Sequence, residues 1–163
     1  MAAARRDPAA LAVIYERYHV QLFRFALARG ADEDTAVDVV ATTFERALAN
    51  LGSYRPRGGG LPAWLFRIAR NALVDEQRRR SRLTDLGAVA LRAAPPGATR
   101  DPDLHVALAR LPDDAREAVA LRYAAGLTAA EIGEVLGKRP AAVQKLIQRT
   151  LDSLKEVLND PGS

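Results

Sequence analysis

The sequence predicts an all-α protein built from two small helical domains joined by a flexible linker. Hydrophobic residues make up 48% of the 163 positions, so the chain can build real cores. Ala, Leu, Arg and Glu are abundant, whereas clusters of strand-forming residues are scarce. Helical periodicity stops around the segment Pro95 to Gly97, which can neither continue a helix nor build a core. We therefore expect a first domain over 9–82, a linker over 83–102 and a second domain over 103–158.

The first domain is predicted to contain three helices. Apolar residues recur every three or four positions over 11–25, which indicates a helix with one buried face. Asp32 can cap a second helix that runs to about Asn50. A third helix should begin at Pro62, where no amide donor is needed, and end in the arginine-rich run 78–82. The expected interior residues are Leu11, Ile14, Tyr15, Tyr18, Leu22 and Phe25, then Ala36, Val40, Phe44, Ala47 and Leu48, then Leu65, Ile68, Ala69, Ala72 and Leu73.

The second domain is predicted to contain four helices. Apolar residues recur at helical spacing through each of them. The helices should lie at about 103–110, 113–124, 129–136 and 140–158. Their expected core residues are Leu104, Leu108, Leu111, Val119, Leu121, Ile132, Leu136, Val143, Ile147 and Leu151.

Basic residues concentrate in two places, although the net charge is only +4. Residues 67–82 hold six arginines against two acidic residues, and residues 138–149 hold four basic residues and no acidic one. Two basic patches in an otherwise balanced chain indicate a polyanion that is bound at two places. Two solvated helix faces would give the same charge pattern, so charge alone does not decide between these interpretations.

The sequence lacks the residues that several classes of function require. The chain has no cysteine, and His19 and His105 stand apart without metal-ligand spacing, so we expect no metal and no cofactor. The glycines at 58–60 lack the Lys-Ser/Thr of a phosphate-binding loop, and no acid–base pair suggests catalysis. We find no signal peptide and no apolar run of about 18 residues. We therefore expect a cytoplasmic protein that is not an enzyme and does not insert into membranes.

A helix-turn-helix is the sharpest local pattern in the second domain. Thr128 and Glu131 have the spacing of a capping box, which starts a helix. Gly133 allows a second helix to cross closely, Gly137 permits the tight turn, and Pro140 begins the second helix. Residue types that bind base edges and phosphates then face outward, although an ordinary hairpin with a polar face has the same pattern. These outward residues are Lys138, Arg139, Gln144, Lys145, Gln148 and Arg149.

The third helix combines an aromatic residue with arginines. Trp64 lies near Arg67, Arg70 and Asn71, largely off the apolar face. An aromatic ring beside arginines can stack on unpaired bases while the cations hold the backbone. Trp64 can equally be a core residue, because large aromatic residues at helical spacing usually are.

These segments together resemble extracytoplasmic-function sigma factors, which are DNA-reading subunits of bacterial RNA polymerase. Residues 37–47 and 63–71, followed by the arginine run, resemble the first conserved domain of the family. Residues 111–119, followed by the helix-turn-helix, resemble the second. Order and spacing match over about 9–82 and 103–158. The resemblance implies a protein that directs transcription initiation and has no catalytic activity.

The resemblance also implies partners and site residues. The second helix would dock on the β′ clamp of core RNA polymerase, and the β flap of the polymerase would be a further partner of the protein. The loop 52–60 and the start of the third helix would capture the promoter −10 element as single strand, and helix 140–150 would read the −35 element as duplex. An anti-sigma factor would cover these surfaces. The implied residues are Asp38, Ala41, Thr42 and Glu45 for polymerase, then Asn50, Ser53, Tyr54, Arg55, Arg57, Trp64, Arg67, Arg70, Asn71, Arg78 and Arg79 for the −10 element, then Lys138, Arg139, Ala141, Gln144, Lys145, Gln148 and Arg149 for the −35 element.

Two other functions fit the same residues. The chain can be a helix-turn-helix regulator that binds duplex DNA without polymerase, with 9–82 as a partner or sensor domain. It can also be a sigma-derived helical interaction protein, since the glutamine and acidic residue common in the family are replaced by Ala41 and Thr42. Copurification with core RNA polymerase discriminates between these functions.

Overall fold

The computed structural model describes residues 8–55, 60–85 and 102–159, and this part of the chain contains helices and turns but no strand. None of its helices is long and apolar enough to cross a membrane. The first domain has helices α1 (Pro8–Ala28), α2 (Glu33–Ala49) and α3 (Gly60–Asp85), with a 3-10 turn at Leu51–Ser53. The second domain has α4 (Pro102–Ala109), α5 (Asp113–Val119), a π-helical turn at Ala120–Ala124, α6 (Ala129–Leu136) and α7 (Pro140–Asn159).

The three helices of the first domain pack around an aromatic centre. The Asp32 side chain accepts a hydrogen bond from the Thr35 amide at 2.7 Å, which starts α2 as predicted. Hydrogen bonds from the Thr35 side chain and from its amide lower the pKa of the Asp32 carboxyl group. The rings of Phe25 and Phe66 meet edge to face, with their centroids 5.7 Å apart, and neither side chain is exposed. These rings join α1 to α3.

Three predictions for the first domain were wrong. Helix α3 begins at Gly60, two residues before Pro62. Tyr15 is 44% exposed, because its ring lies at the edge of the core, stacked on His19 and tilted against Phe44. Leu48 is 54% exposed near the end of α2.

The helix-turn-helix forms as the sequence predicted. Thr128 and Glu131 complete a reciprocal capping box at the start of α6. Gly137 ends α6 with a φ of +69°, in the left-handed region that favours glycine. A Cβ on Gly133 would overlap the main-chain carbonyl oxygen of Lys138, so the turn before α7 passes too close to α6 for any side chain at this position. The predicted helix 113–124 differs in part, because α5 changes into the π-helical turn after Val119.

The two domains pack directly against each other. Helix α3 contacts α6, and α1 contacts the π-helical turn. Buried residues of both domains therefore form one continuous hydrophobic cluster, which includes Phe66, Leu121 and Ile132. Of the predicted linker 83–102, residues 83–85 belong to α3 and Pro102 begins α4. Its residues 86–101, on which the expected flexibility rests, lie outside the described residues.

Candidate nucleic-acid interface

Helix α7 presents a polar face to solvent. Val143 and Ile147 are buried, and α7 packs against α4, α5 and α6, which fixes the rotation of α7 about its own axis. Gln148 donates from Nε2 to Asp152 Oδ1 at 3.1 Å. The helix therefore offers amide and cationic groups on one side, as a recognition helix does. The exposed residues that the sequence predicted for this face are Ala141, Gln144, Lys145, Gln148 and Arg149.

Two basic residues lie just before this helix. The Lys138 ammonium lies 3.6 Å from the Asp114 carboxylate, and both side chains are partly exposed. Arg139 is exposed as well. An exposed ion pair of this kind contributes little to the stability of the protein. Lys138 can therefore leave Asp114 and bind a phosphate instead.

The arginines at the middle of α3 are partly exposed, and each of them also contacts the second domain. Arg70 Nε lies 2.7 Å from Glu117 Oε1, and Glu117 is only 3% exposed. Arg67 donates to the main-chain carbonyl of Glu134, whose carboxylate lies 3.7 Å away. Both acidic residues belong to the second domain. Two cations predicted to bind DNA are thus paired across the domain interface, while Asn71 next to them is exposed.

A small cavity of about 120 Å³ opens beside Trp64. Trp64 is half-buried, and its ring meets the ring of Tyr54 edge-on with the centroids 5.1 Å apart. Tyr54 is only 3% exposed, so it supports Trp64 rather than facing solvent. The side chains of Asn50, Ser53 and Arg55 are exposed around the turn and donate to nearby main-chain carbonyls. The cavity is lined by Ser53, Arg55, Gly60, Ala63, Trp64, Arg67 and Glu134.

The later arginines of α3 lie among carboxylates of their own domain. Arg79 pairs with Glu76, and this hydrogen bond lowers the pKa of the Glu76 carboxyl group. Arg80 lies 3.5 Å from Asp32 and 3.4 Å from Glu76. Arg78 is exposed. This end of α3 is therefore basic but partly neutralised.

The face of α2 predicted to bind polymerase is largely open. Asp38, Ala41 and Glu45 are exposed, and Thr42 is half-buried. Two apolar side chains on α2 are also exposed, Val37 by 57% and Leu48 by 54%. The face thus combines carboxylates with apolar groups, a composition that fits a protein partner better than DNA.

Some residues at the interface were not predicted, and one predicted residue cannot be placed. Sequence reasoning missed Glu117 and Glu134, because nothing local to α5 or α6 shows that they meet arginines of α3. Arg57 lies outside the described residues. In the part of the chain that the structure describes, no group of acidic and histidine side chains could hold a metal ion.

Both halves of the chain match families of known proteins. Residues 14–83 match Sigma-70 region 2, and residues 102–154 match Sigma-70, region 4. The ECF RNA polymerase sigma factor EcfG of Rhodopseudomonas palustris is 32% identical over 145 residues, which cover 85% of this chain and 80% of EcfG. The corresponding protein BldN of Streptomyces coelicolor is 31% identical over 157 residues. These cover 90% of this chain, which spans 60% of the length of BldN.

A solved structure shows the same arrangement of helices. It is the sigma factor RpoE of Bartonella quintana in complex with the anti-sigma factor NepR. The match has a TM-score of 0.66 at 28% identity and covers 90% of this chain and 95% of that chain. The likeness therefore extends over both domains.

Proposed function

The chain belongs to the extracytoplasmic-function family of RNA polymerase sigma factors, and from this premise we propose how its surfaces divide promoter recognition. Proteins of this family are not enzymes, and they recognise promoters through region 2 and region 4. We assign polymerase docking and the −10 element to 9–82, and the −35 element to 103–158, with 83–102 joining them. Such a protein acts in the cytoplasm, where core RNA polymerase is.

The exposed face of α7 carries the −35 assignment. Gln144, Lys145 and Gln148 lie within one outward sector while Val143 and Ile147 fill the core. A glutamine amide can form two hydrogen bonds with adenine, and lysine can reach guanine or a phosphate. The capping box and Gly137 hold α6 and the turn, so the face is presented on a rigid element.

Substitutions on α7 should separate base reading from phosphate contact. Gln144→Ala is expected to cost about 1–3 kcal/mol at one base pair of the −35 element and to relax selectivity there. Arg139→Ala should weaken binding to all sequences. It should also make the slope of the logarithm of the binding constant against the logarithm of the salt concentration shallower by about one unit. The measurement is promoter binding by polymerase carrying each variant, on a mapped promoter and on its single-base variants.

A matched pair of lysines provides the control. Lys145→Ala and Lys155→Ala make the same change on α7, but Lys155 lies ten residues later, about 15 Å along the helix axis. Only Lys145→Ala should weaken promoter binding. Equal effects of the two changes, or unaltered promoter choice for Gln144→Ala, would contradict reading by this face.

For the first domain, we assign strand capture to the turn 51–55 and the start of α3. Trp64 is supported by Tyr54, and its cavity is lined by side chains that can donate hydrogen bonds. Arg67 and Arg70 lie one and two turns farther along α3 and can bind the backbone of a single strand. The open face of α2, with Asp38, Ala41, Thr42 and Glu45, is then left for the β′ clamp.

We also propose an anti-sigma factor and the β flap as protein partners. The support for the first is the RpoE structure, which contains the anti-sigma factor NepR. In this chain, the exposed apolar groups Val37 and Leu48 on α2, and Val157 and Leu158 near the end of α7, are surfaces that such proteins can cover.

A further inference from the structure

One side-chain amide on the exposed face of α7 already forms a hydrogen bond within the protein. Gln148 donates from Nε2 to Oδ1 of Asp152 at 3.1 Å. The two residues are four positions apart on the helix, so they are neighbours on one face. Both residues are exposed. The hydrogen bond therefore forms on the surface that we assign to the −35 element.

This hydrogen bond can form in only one direction. An ionised carboxylate has acceptor atoms and no donor, so it can bind the Nε2 group of a glutamine but not its oxygen. A hydrogen bond to an ionised acceptor is also stronger than one between neutral groups. Asp152 therefore turns the Gln148 amide so that Nε2 lies towards Asp152 and Oε1 is left for another partner.

The other glutamine of this face has no such constraint in the sequence. Gln144 is followed four positions later by Gln148, which carries both a donor and an acceptor, instead of by a carboxylate. The amide of Gln144 can therefore turn either way to suit a base. The two glutamines have the same chemistry but differ in how their amides are oriented.

The orientation of Gln148 decides which bases it can bind in a major groove. Docking removes water between α7 and the bases, so an amide atom without a partner becomes costly. Adenine and cytosine carry an exocyclic amino group that can donate to Oε1, whereas guanine and thymine present acceptor atoms in the groove. An acceptor that faces Oε1 leaves both atoms unpaired, and the amide cannot turn over without losing its bond to Asp152.

We propose that Asp152 is a positioning residue for base reading by α7. It holds the Gln148 amide with Oε1 outward, so that Gln148 selects a base with an exocyclic amino group, adenine or cytosine, and rejects guanine and thymine. Asp152 lies about 6 Å beyond Gln148 along the helix axis and acts through this amide. The inference rests on the proposed function of α7 and adds the class of base that is read at one position of the −35 element.

A randomised −35 element tests this inference with the full chain. Core polymerase carrying each variant is incubated with a promoter library that is randomised over the −35 element, and the bound promoters are sequenced. Gln148→Ala identifies the base position that Gln148 reads. Asp152→Ala removes the acceptor, and Asp152→Glu keeps a carboxylate there. Glu156→Ala is the matched control, because it removes an exposed carboxylate of α7 about 12 Å beyond Gln148.

We expect the unaltered protein to favour adenine and cytosine over guanine and thymine by at least about five-fold at the position that Gln148→Ala affects. Asp152→Ala should reduce this preference by at least about two-fold, because the amide can then turn over and donate to guanine or thymine. Asp152→Glu and Glu156→Ala should leave the preference unchanged.

The base preference separates positioning from a general effect of charge. Loss of either carboxylate reduces the repulsion of DNA phosphates, which strengthens binding to all sequences alike. An unchanged preference in Asp152→Ala, or an equal change in Glu156→Ala, would overturn the inference and leave base reading by α7 intact. If Gln148→Ala affects no base position, base reading by Gln148 itself fails, and the inference fails with it.

Discussion

Phe66→Ala is expected to lower the free energy of unfolding by about 3–5 kcal/mol, a large share of the stability of a protein this size. Phe66 is wholly buried, and its ring packs edge to face on Phe25. Helix α3, which carries it, contacts both α2 and α6, so the cavity left by alanine lies at the junction of both domains. Thermal and denaturant unfolding followed by circular dichroism measures the loss.

A half-buried phenylalanine gives the control for this substitution. Phe23 packs against the same hydrophobic cluster but is only partly buried. Phe23→Ala therefore removes the same atoms from a more solvent-exposed position. Its cost should be clearly smaller. If the two variants unfold at the same denaturant concentration, α3 does not occupy the central position described here.

The second large effect concerns strand capture. Trp64→Ala should weaken binding of the non-template −10 strand by about 1–3 kcal/mol, or roughly 5- to 150-fold, because a base loses its stacking surface. The measurement uses core polymerase with each variant and a single-stranded oligonucleotide that spans a mapped −10 element. Trp64→Phe keeps an aromatic surface and should retain most of the affinity.

Because Trp64 contacts Tyr54, a loss of strand binding in Trp64→Ala could also come from a destabilised turn. The same experiment tests this explanation. If Trp64 only supports the turn, alanine would lower stability and leave strand affinity unchanged once the protein is folded. That result would contradict stacking by Trp64. The affinity for duplex −35 DNA should be the same for both variants, because α7 lies on the other domain.

Local patterns in the sequence were sufficient to predict the helices and the exposed polar face of α7. The capping box of Thr128 with Glu131, and the turn at Gly137, depend on residues a few positions apart. Val143 and Ile147 repeat at helical spacing, so the outward position of Gln144 followed from the same pattern. These features were predictable because the physical cause of each is short-range.

The features that were not predicted from the sequence depend on which helices contact each other in the folded protein. Phe66 is wholly buried because α3 packs between α2 and α6, and the apolar stripe of α3 alone did not show that second contact. The pair of Arg70 with Glu117 joins residues 47 positions apart, and Arg67 meets Glu134 across 67 positions. No local pattern encodes such pairs, so the sequence did not show that Arg67 and Arg70 contact the second domain.

In vitro transcription tests the central claim most directly. Core RNA polymerase is incubated with a pool of genomic DNA fragments, with and without the protein, and the 5′ ends of the transcripts are sequenced. Addition of the protein should create new start sites that share one −10 and one −35 element, and Gln144→Ala should alter the preferred base at a single −35 position. Transcripts identical with and without the folded protein, although it binds duplex DNA, would contradict the account and favour a regulator that acts without polymerase.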